Sequence, residues 1–499
     1  MKIKYFIKQT SCISSDITTI KWSYLCVLLC LPSTFAHAEQ QSNTRFIEKI
    51  VSFLGPQPDE NFKTAQLQQL TNFRNDQSNL LEIHPANQMS QSMSLIQAVR
   101  FALQRNPDIA QRISILAAQN SNVTVAKSQY YPQISGGLGT GDLMSSNRGR
   151  QVLSLNATQM VYDFGKVKSS VNTQQQKVFL EQANVLVSID DIAYQVSFAI
   201  VNIERYRSGI QIAEQQIKGI SHILEIANLR AQAGISSQAD PIQAESFLQS
   251  AQSNLIAQQS MLQQYQQRLS LLLGFDVSKR SWVIPDQLIA ASNLYAEPQF
   301  NIIPRMIAAQ AEIEIAKSEK KQTDLTRYPT LSLKGGISQA INGDNPNNNN
   351  GDRFDQSIMF EASSNFYQGG ATTARVRAAS FAEEAAKAKV NAVYLAVLDQ
   401  IRTTRETIEN KQRQMQVLSA RQNTTVRTRE LYQEQYKLGT RTVLDLLNAE
   451  IAIHSASSEL ENARYDIYSS LAQYIGATGL SRQAYDLNNI SIQGFEVQP

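Results

Sequence analysis

The sequence predicts an α+β membrane protein built as a duplicated unit of two β-strands plus long and short α-helices. Three observations lead there. First, landmarks recur at fixed spacing. Pro107 and Pro132 stand 25 residues apart, as do Pro304 and Pro329, and Gly165 to Gly234 spans 69 residues, as does Gly370 to Gly439. Second, the stretch after Gly165 reads as helix as far as Ala233, with no proline and only Gly209 and Gly219 inside it, and the stretch between Gly370 and Gly439 has neither proline nor glycine. Third, the segments before Gly165 and Gly370 alternate apolar and polar residues over about ten positions, the length and dyad pattern of a membrane-spanning strand. A period of roughly 200 residues marks duplication of a whole unit, not a solenoid.

Residues 1–38 read as a secretory signal peptide. Lys2, Lys4, Lys8 and Lys21 precede the apolar run Trp22 to Leu31, and Ala36, His37 and Ala38 form an A-x-A cleavage site. Leu29 before Cys30 argues against a lipoprotein signal, which wants a small residue there. Cys12, Cys26 and Cys30 all lie inside the signal, so disulfides and thiolate metal sites are not expected after its removal. The signal holds four lysines and one aspartate, which leaves the remaining chain formally balanced in charge and argues against nucleic acid as a partner. Outside the signal no run of eighteen apolar residues occurs, so no transmembrane helix is expected.

Residues 39–92 are polar and turn-rich, and their role is open; Phe46, Ile47, Ile50, Val51 and Leu54 have helical spacing and suit a helix on the surface of the main body. From Ser94 a helix is expected, with Ser94 and Gln97 as a capping box and Leu95, Val99, Ala102 and Leu103 as its apolar stripe. A second helical run reaches Tyr131 and Pro132. Then Ile134 and Leu138 face away from Gln133 and Ser135, and Leu153, Leu155 and Ala157 face away from Ser154, Asn156 and Thr158, two strands joined by GDLMSSNRGR. The second copy places Leu331, Leu333 and Ile337 opposite Ser332, Lys334 and Ser338, and Ile358, Phe360 and Ala362 opposite Ser357, Glu361 and Ser363, around the loop NGDNPNNNNGD.

About 66 helical residues at 1.5 Å each span roughly 100 Å, longer than a compact domain needs. In the second long helix Tyr394, Ile401, Ile408 and Met415 recur every seven residues, with Val390, Val397 and Leu418 at a second heptad position, the pattern of supercoiled helices. Each long helix ends at a turn. Gly234 stands six residues before Asp240 and Gly439 six before Asp445, with Ser237 and Thr442 as caps of the returning helix, so the chain carries two hairpin tips. Gly165 and Gly370 are the strand-to-helix turns. The domains follow as 1–38 signal, 39–92 extension, 93–285 first repeat, 286–480 second repeat and 481–499 tail.

In lipid every backbone donor needs a partner, so a sheet must close, and four strands are too few. Several copies are therefore expected to share one barrel. A soluble hairpin pair packed on helices would alternate in the same way; the signal peptide, the paired long helices and the Asn-rich loop favour the barrel.

The order, duplication and spacing of ALQRNP (102–107), YYPQIS (130–135), MVYDFGK (160–166), FYQGG (366–370) and YKLGTRTVLDLLNAE (436–450) resemble the TolC-type outer-membrane factor family over residues 93 to 480. The resemblance implies a homotrimer whose twelve strands form one outer-membrane barrel, continuing into a periplasmic α-helical barrel. It implies docking to a periplasmic adaptor and an inner-membrane transporter, with an ABC-type transporter preferred. The expected role is the exit duct of a tripartite export system, serving type I protein secretion or, alternatively, multidrug efflux. The MVYDFGK wording and the missing lipid anchor favour the first.

By the same resemblance Asp445 matches a tunnel-facing acidic position, three copies of which would form a ring, and Asn448 stands where some members carry a second Asp. A ring with half the charge implies weaker cation binding at the entrance. Asp240, Tyr436 and Arg441 match the family's links between hairpins and between subunits. Arg to Asp contacts are charge-assisted and can be bidentate, so a few can latch a tip and still break on docking. Asp240 and Asp445 also sit where capping acids sit, three residues after Ser237 and Thr442.

Enzyme chemistry is not expected. His37, His84, His222 and His454 are scattered, no G-x-S-x-G, H-E-x-x-H or phosphate-cradling loop occurs, and no cofactor or metal is implied. A trimeric coiled-coil adhesin or a periplasmic adaptor shares the long helices. An adhesin would place its strands at the C-terminal end and an adaptor would usually carry one hairpin, whereas here the strands interrupt the helices twice.

Overall fold

The structure, a computed structural model, describes residues 92–139, 151–285, 289, 292–345, 348 and 352–498. The expected signal peptide and extension up to residue 91, the loop 140–150 and parts of the Asn-rich loop lie outside the described residues. The chain divides into two compact units: Ser128–Met160 with Leu333–Met359, and a helical unit of residues 92–127, 161–332 and 360–498.

Along the chain, β1 (Ser92–Ser94) leads into α1 (Leu95–Arg105), α2 (Pro107–Ser128), β2 (Gln133–Gly139) and β3 (Gln151–Tyr162). The long helix α3 (Lys166–Gln232) returns through α4 (Ala239–Leu273) to β4 (Ser281–Val283). The second copy supplies α5 (Pro304–Leu325), β5 (Thr330–Asn342), β6 (Phe354–Ser363), α6 (Ala371–Lys437) and α7 (Val443–Thr478). The tail adds α8 (Ser481–Ala484), β7 (Ser491–Ile492) and β8 (Phe495–Glu496). The two long helices have the same length, 67 residues each.

In the strand unit the sheet has order β2-β3-β5-β6 and is open, with β2 and β6 at its edges. The antiparallel register of β2 and β3 pairs Ile134 with Ala157 and Leu138 with Leu153 on one face, and Ser135 with Asn156 and Gln133 with Thr158 on the other. The expected faces are therefore real. The apolar face is uncovered, unlike that of a water-soluble sheet: Ile134, Leu138, Leu153, Leu155, Ile337, Ile341 and Ile358 are exposed, and on the opposite face Ser332, Ser338 and Ala340 of β5 are buried while Gln133, Ser135 and Asn156 are exposed.

In the helical unit, Ser94 and Gln97 form the expected capping box, with the Ser94 hydroxyl accepting from the Gln97 N–H at 3.2 Å and the Gln97 side chain accepting from the Ser94 N–H at 3.1 Å. Both long helices start at glycines in the left-handed region, Gly165 with φ +89° and Gly370 with φ +83°. Asp163 completes the first start. Its carboxylate accepts from the N–H groups of Gly165 at 2.8 Å and Val167 at 2.6 Å.

The largest core gathers Leu95, Val99 and Leu103 of α1, Val185 to Ile203 along one side of α3, and Leu269 and Leu273 of α4. The tail belongs to it as well, through Tyr485, Leu487, Ile492 and Val497. One eighteen-residue window of α3 reaches a mean hydropathy of 1.3, apolar enough for a membrane helix, but 61% of it is buried inside the chain. A short parallel pairing of β1 with β4 sets Met93 beside Trp282, both buried. The heptad positions of α6 form a seam: Val397, Ile401 and Ile408 pack with Ile467, Leu471 and Tyr474 of α7.

Candidate functional site

Both hairpin tips close as the glycine spacing predicts. Gly234 has φ +68° and Gly439 φ +78°, and each tip returns N–H groups to the last helical carbonyls: Ile235 to Arg230 at 2.8 Å and Thr440 to Gln435 at 3.0 Å. The tips differ at their second caps. Thr442 and Asp445 form a full capping box at the start of α7. At α4 the Ser237 hydroxyl accepts from Ala239 at 3.1 Å, and Gln238 takes the cap position. The expected Ser237 box fails because the Asp240 N–H is already bonded to the Ser237 carbonyl at 3.1 Å. Asp240 is thus left without a capping partner among the described residues.

The capping role of Asp445 has an electrostatic result. Its carboxylate accepts from the Thr442 hydroxyl at 2.8 Å and the Thr442 N–H at 3.2 Å. These bonds hold it below the usual carboxylate value, so it carries its charge at neutral pH. Asn448, one turn on, is exposed, while Leu446, Leu447 and Ala449 on the other side of α7 are buried.

Tyr436 is 4% exposed, packed with Ile220, Ile223 and Ala227 of α3 and Val443, Leu446 and Leu447 of α7. The two hairpins therefore share one apolar cluster at their tips. Arg230 of α3 lies over the Tyr436 ring, 4.8 Å from its centroid, and donates to the Tyr436 carbonyl at 3.0 Å. Burial pushes the Tyr436 phenol above its ordinary value; the Arg230 charge opposes that rise and the Asp240 charge adds to it. The Tyr436 hydroxyl is buried without a hydrogen-bond partner among the described residues.

Arg441 is placed differently from the expected latch. Within this chain it makes no ion pair with Asp240 among the described residues. It folds back onto its own hairpin, donating to Gln435 at 3.0 Å, lying 4.4 Å from the Tyr432 ring centroid, and reaching Asp445 only at 3.9 Å. At the tips, the polar link between hairpins inside one chain is made by Arg230 instead. Sequence reasoning passed over it because a basic residue in the last turn of a helix already has a reason to be there, the negative end of the helix dipole.

Comparison with known proteins places these features in a context. The outer membrane efflux protein family matches residues 98–275 and 303–480. Outer membrane protein TolC of Vibrio cholerae serotype O1 is 24% identical over 378 residues, 72% of this chain and 85% of that protein. Outer membrane efflux protein BepC of Brucella suis biovar 1 is 23% identical over 410 residues, 79% of this chain and 86% of that one. Cation efflux system protein CusC of Escherichia coli O157:H7 is 22% identical over 391 residues, 73% and 81%. Among solved structures, VceC of Vibrio cholerae aligns with a TM-score of 0.67 at 16% identity, covering 77% of this chain and 96% of that one. The open state of the Neisseria gonorrhoeae MtrE outer membrane channel gives 0.62 at 18% identity, covering 77% and 88%. At these identities the structures share the fold: mostly helical, with a small sheet, the fold of outer-membrane channels.

Proposed function

The chain belongs to the outer membrane efflux protein family, and from that premise we propose that it is the outer-membrane exit duct of a tripartite export system serving type I protein secretion. Three copies share one barrel, and the hairpin tips form a closable entrance that docks a periplasmic adaptor and an inner-membrane transporter of the ABC type. The observation that carries the duct is the uncovered apolar face of the sheet. Its apolar residues are exposed and both edges are open, so closure needs strands from other copies. Protein cargo is supported by the MVYDFGK wording at 160–166. Drug or cation efflux is the second reading, favoured by the family description and by relatives named for efflux.

Deleting the gene and comparing secreted proteins with sensitivity to drugs and detergents separates the two. Loss of a secreted protein with unchanged drug sensitivity is expected. Unchanged secretion with raised sensitivity would overturn the cargo assignment.

Asp445 and Asn448 are proposed as the entrance ring, and Asp240, Tyr436 and Arg441 as the latch, with the partly exposed Asp240 and the exposed Arg441 available to a neighbouring copy and the buried Tyr436 acting inside the chain. Arg230 joins this set. Its ring contact and carbonyl bond are together worth about 1–3 kcal/mol, enough to move a closed-to-open ratio by about 5-fold to 150-fold. Arg230→Ala should therefore raise single-channel conductance in planar bilayers at least as much as Arg441→Ala. Wild-type conductance in both would remove the latch.

A further inference from the structure

Two carboxylates of α7 each meet α3 and α6 at once, and they do so by different means. At the first level Asp466 accepts from Arg205 of α3 at 2.6 Å and pairs with Lys411 of α6 at 2.9 Å, with the Ser208 and Tyr465 hydroxyls 3.0 Å apart beside it. All three helices are tied there by charge. Sixteen residues nearer the tip stands Glu450, 3% exposed, held by His454 at 3.0 Å and by Arg429 of α6 at 3.6 Å. Among the described residues it makes no ion pair with α3. It faces Gly219, where a Cβ would stand 1.8 Å from the Glu450 Oε1 and 2.5 Å from its Cδ.

A glycine inside a helix costs helical stability. The long helix α6 has none, and α3 has two. Gly209 is the milder case, since a Cβ there would stand 2.9 Å from the end of the Gln258 side chain, which belongs to α3's own hairpin partner and can swing away. Glu450 cannot swing away without leaving His454 and Arg429, and a buried carboxylate that loses its partners is expensive. The notch therefore fixes the distance between the two hairpins just above their tips.

We propose that Gly219 and Glu450 are positioning residues for the gate: the carboxylate seated in the notch sets how close the second hairpin rests on the first, and so holds the tips in their closed register. This rests on the reading of the tips as the entrance of a duct. Above the notch the Asp466 node anchors the hairpins by charge, and below it, among the described residues, the apolar cluster and Arg230 hold them together. The fit at Gly219 is thus the last rigid spacing before the mobile end.

The test is the conductance of the purified protein in planar bilayers. Gly219→Ala should push α7 away from α3 and raise single-channel conductance several-fold, and Glu450→Ala added to it should return conductance towards the wild-type value by emptying the space. If Gly219→Ala assembles and conducts like the wild type, or if the added Glu450→Ala does not reverse its effect, the proposal is overturned. A helix-propensity effect alone would give the opposite signature, raised thermal stability with unchanged conductance. Should Gly219→Ala not assemble, recovery of the assembled protein in the double variant supports the notch, and its absence overturns it. Wild-type protein that forms no channel would sink the duct reading itself, a different result from wild-type channels that Gly219→Ala leaves unaltered.

Discussion

Tyr485→Ala is expected to cost about 3–5 kcal/mol of folding stability, the range for deleting a large ring from a packed core. The side chain is 1% exposed and sits among α1, α3 and the tail. Its hydroxyl bonds the Ser197 hydroxyl at 2.9 Å, and burial pushes the phenol up to about 12. Tyr485→Phe should lose only that bond, about 0.5–1.5 kcal/mol. Thermal melts of the detergent-solubilised protein, followed by helical circular dichroism, check both. Were the alanine variant to melt with the wild type, the segment after α7 would be an appendage with no part in the core.

The second large effect depends on pH. Asp190 of α3 is buried, and burial raises its carboxyl from 3.8 to about 7, only partly offset by the Ser481 hydroxyl and the Arg482 charge. The folded protein therefore holds this proton more tightly than the unfolded chain does. Stability from this group is present below pH 4, falls as the pH rises from about 4 to 7, and is flat above that. Asp190→Asn removes the titration, so its advantage over the wild type should grow across that window to at most about 4 kcal/mol at pH 8. Melting curves at pH 4.5 and pH 8 decide it. A difference that does not grow with pH would mean that the charged form has partners of its own.

The sequence made the helices and tips legible because their signals are local. Glycine at a left-handed turn, the Thr442 to Asp445 box and the seven-residue recurrence from Tyr394 to Met415 each lie within a few turns of chain. Face assignment in the strands was equally local, since alternation needs no knowledge of a partner. What could not be read were pairings across the duplication. Arg230 meets Tyr436 at a separation of 206 residues, and Arg205 meets Asp466 at 261. No periodicity reports such distances. Gly219 was visible only as a blemish in a good helix, and its meaning depends on a carboxylate from the other repeat. The part played by the tail was not legible for the opposite reason: it is short and irregular, and its Leu487, Ile492 and Val497 acquire a role only against α1 and α3.

The equal length of α3 and α6, 67 residues each, limits how such a molecule can grow or shrink. Adding one heptad to a single long helix would carry its tip about 10 Å past the other and rotate it little. Arg230 would then lose Tyr436, and Glu450 would leave its notch. Both repeats must change together, each with a matching change in its returning helix. The molecule is in this sense a four-legged stand whose legs can be cut only as a set, so a viable length variant is expected to carry four coordinated insertions and never a lone one.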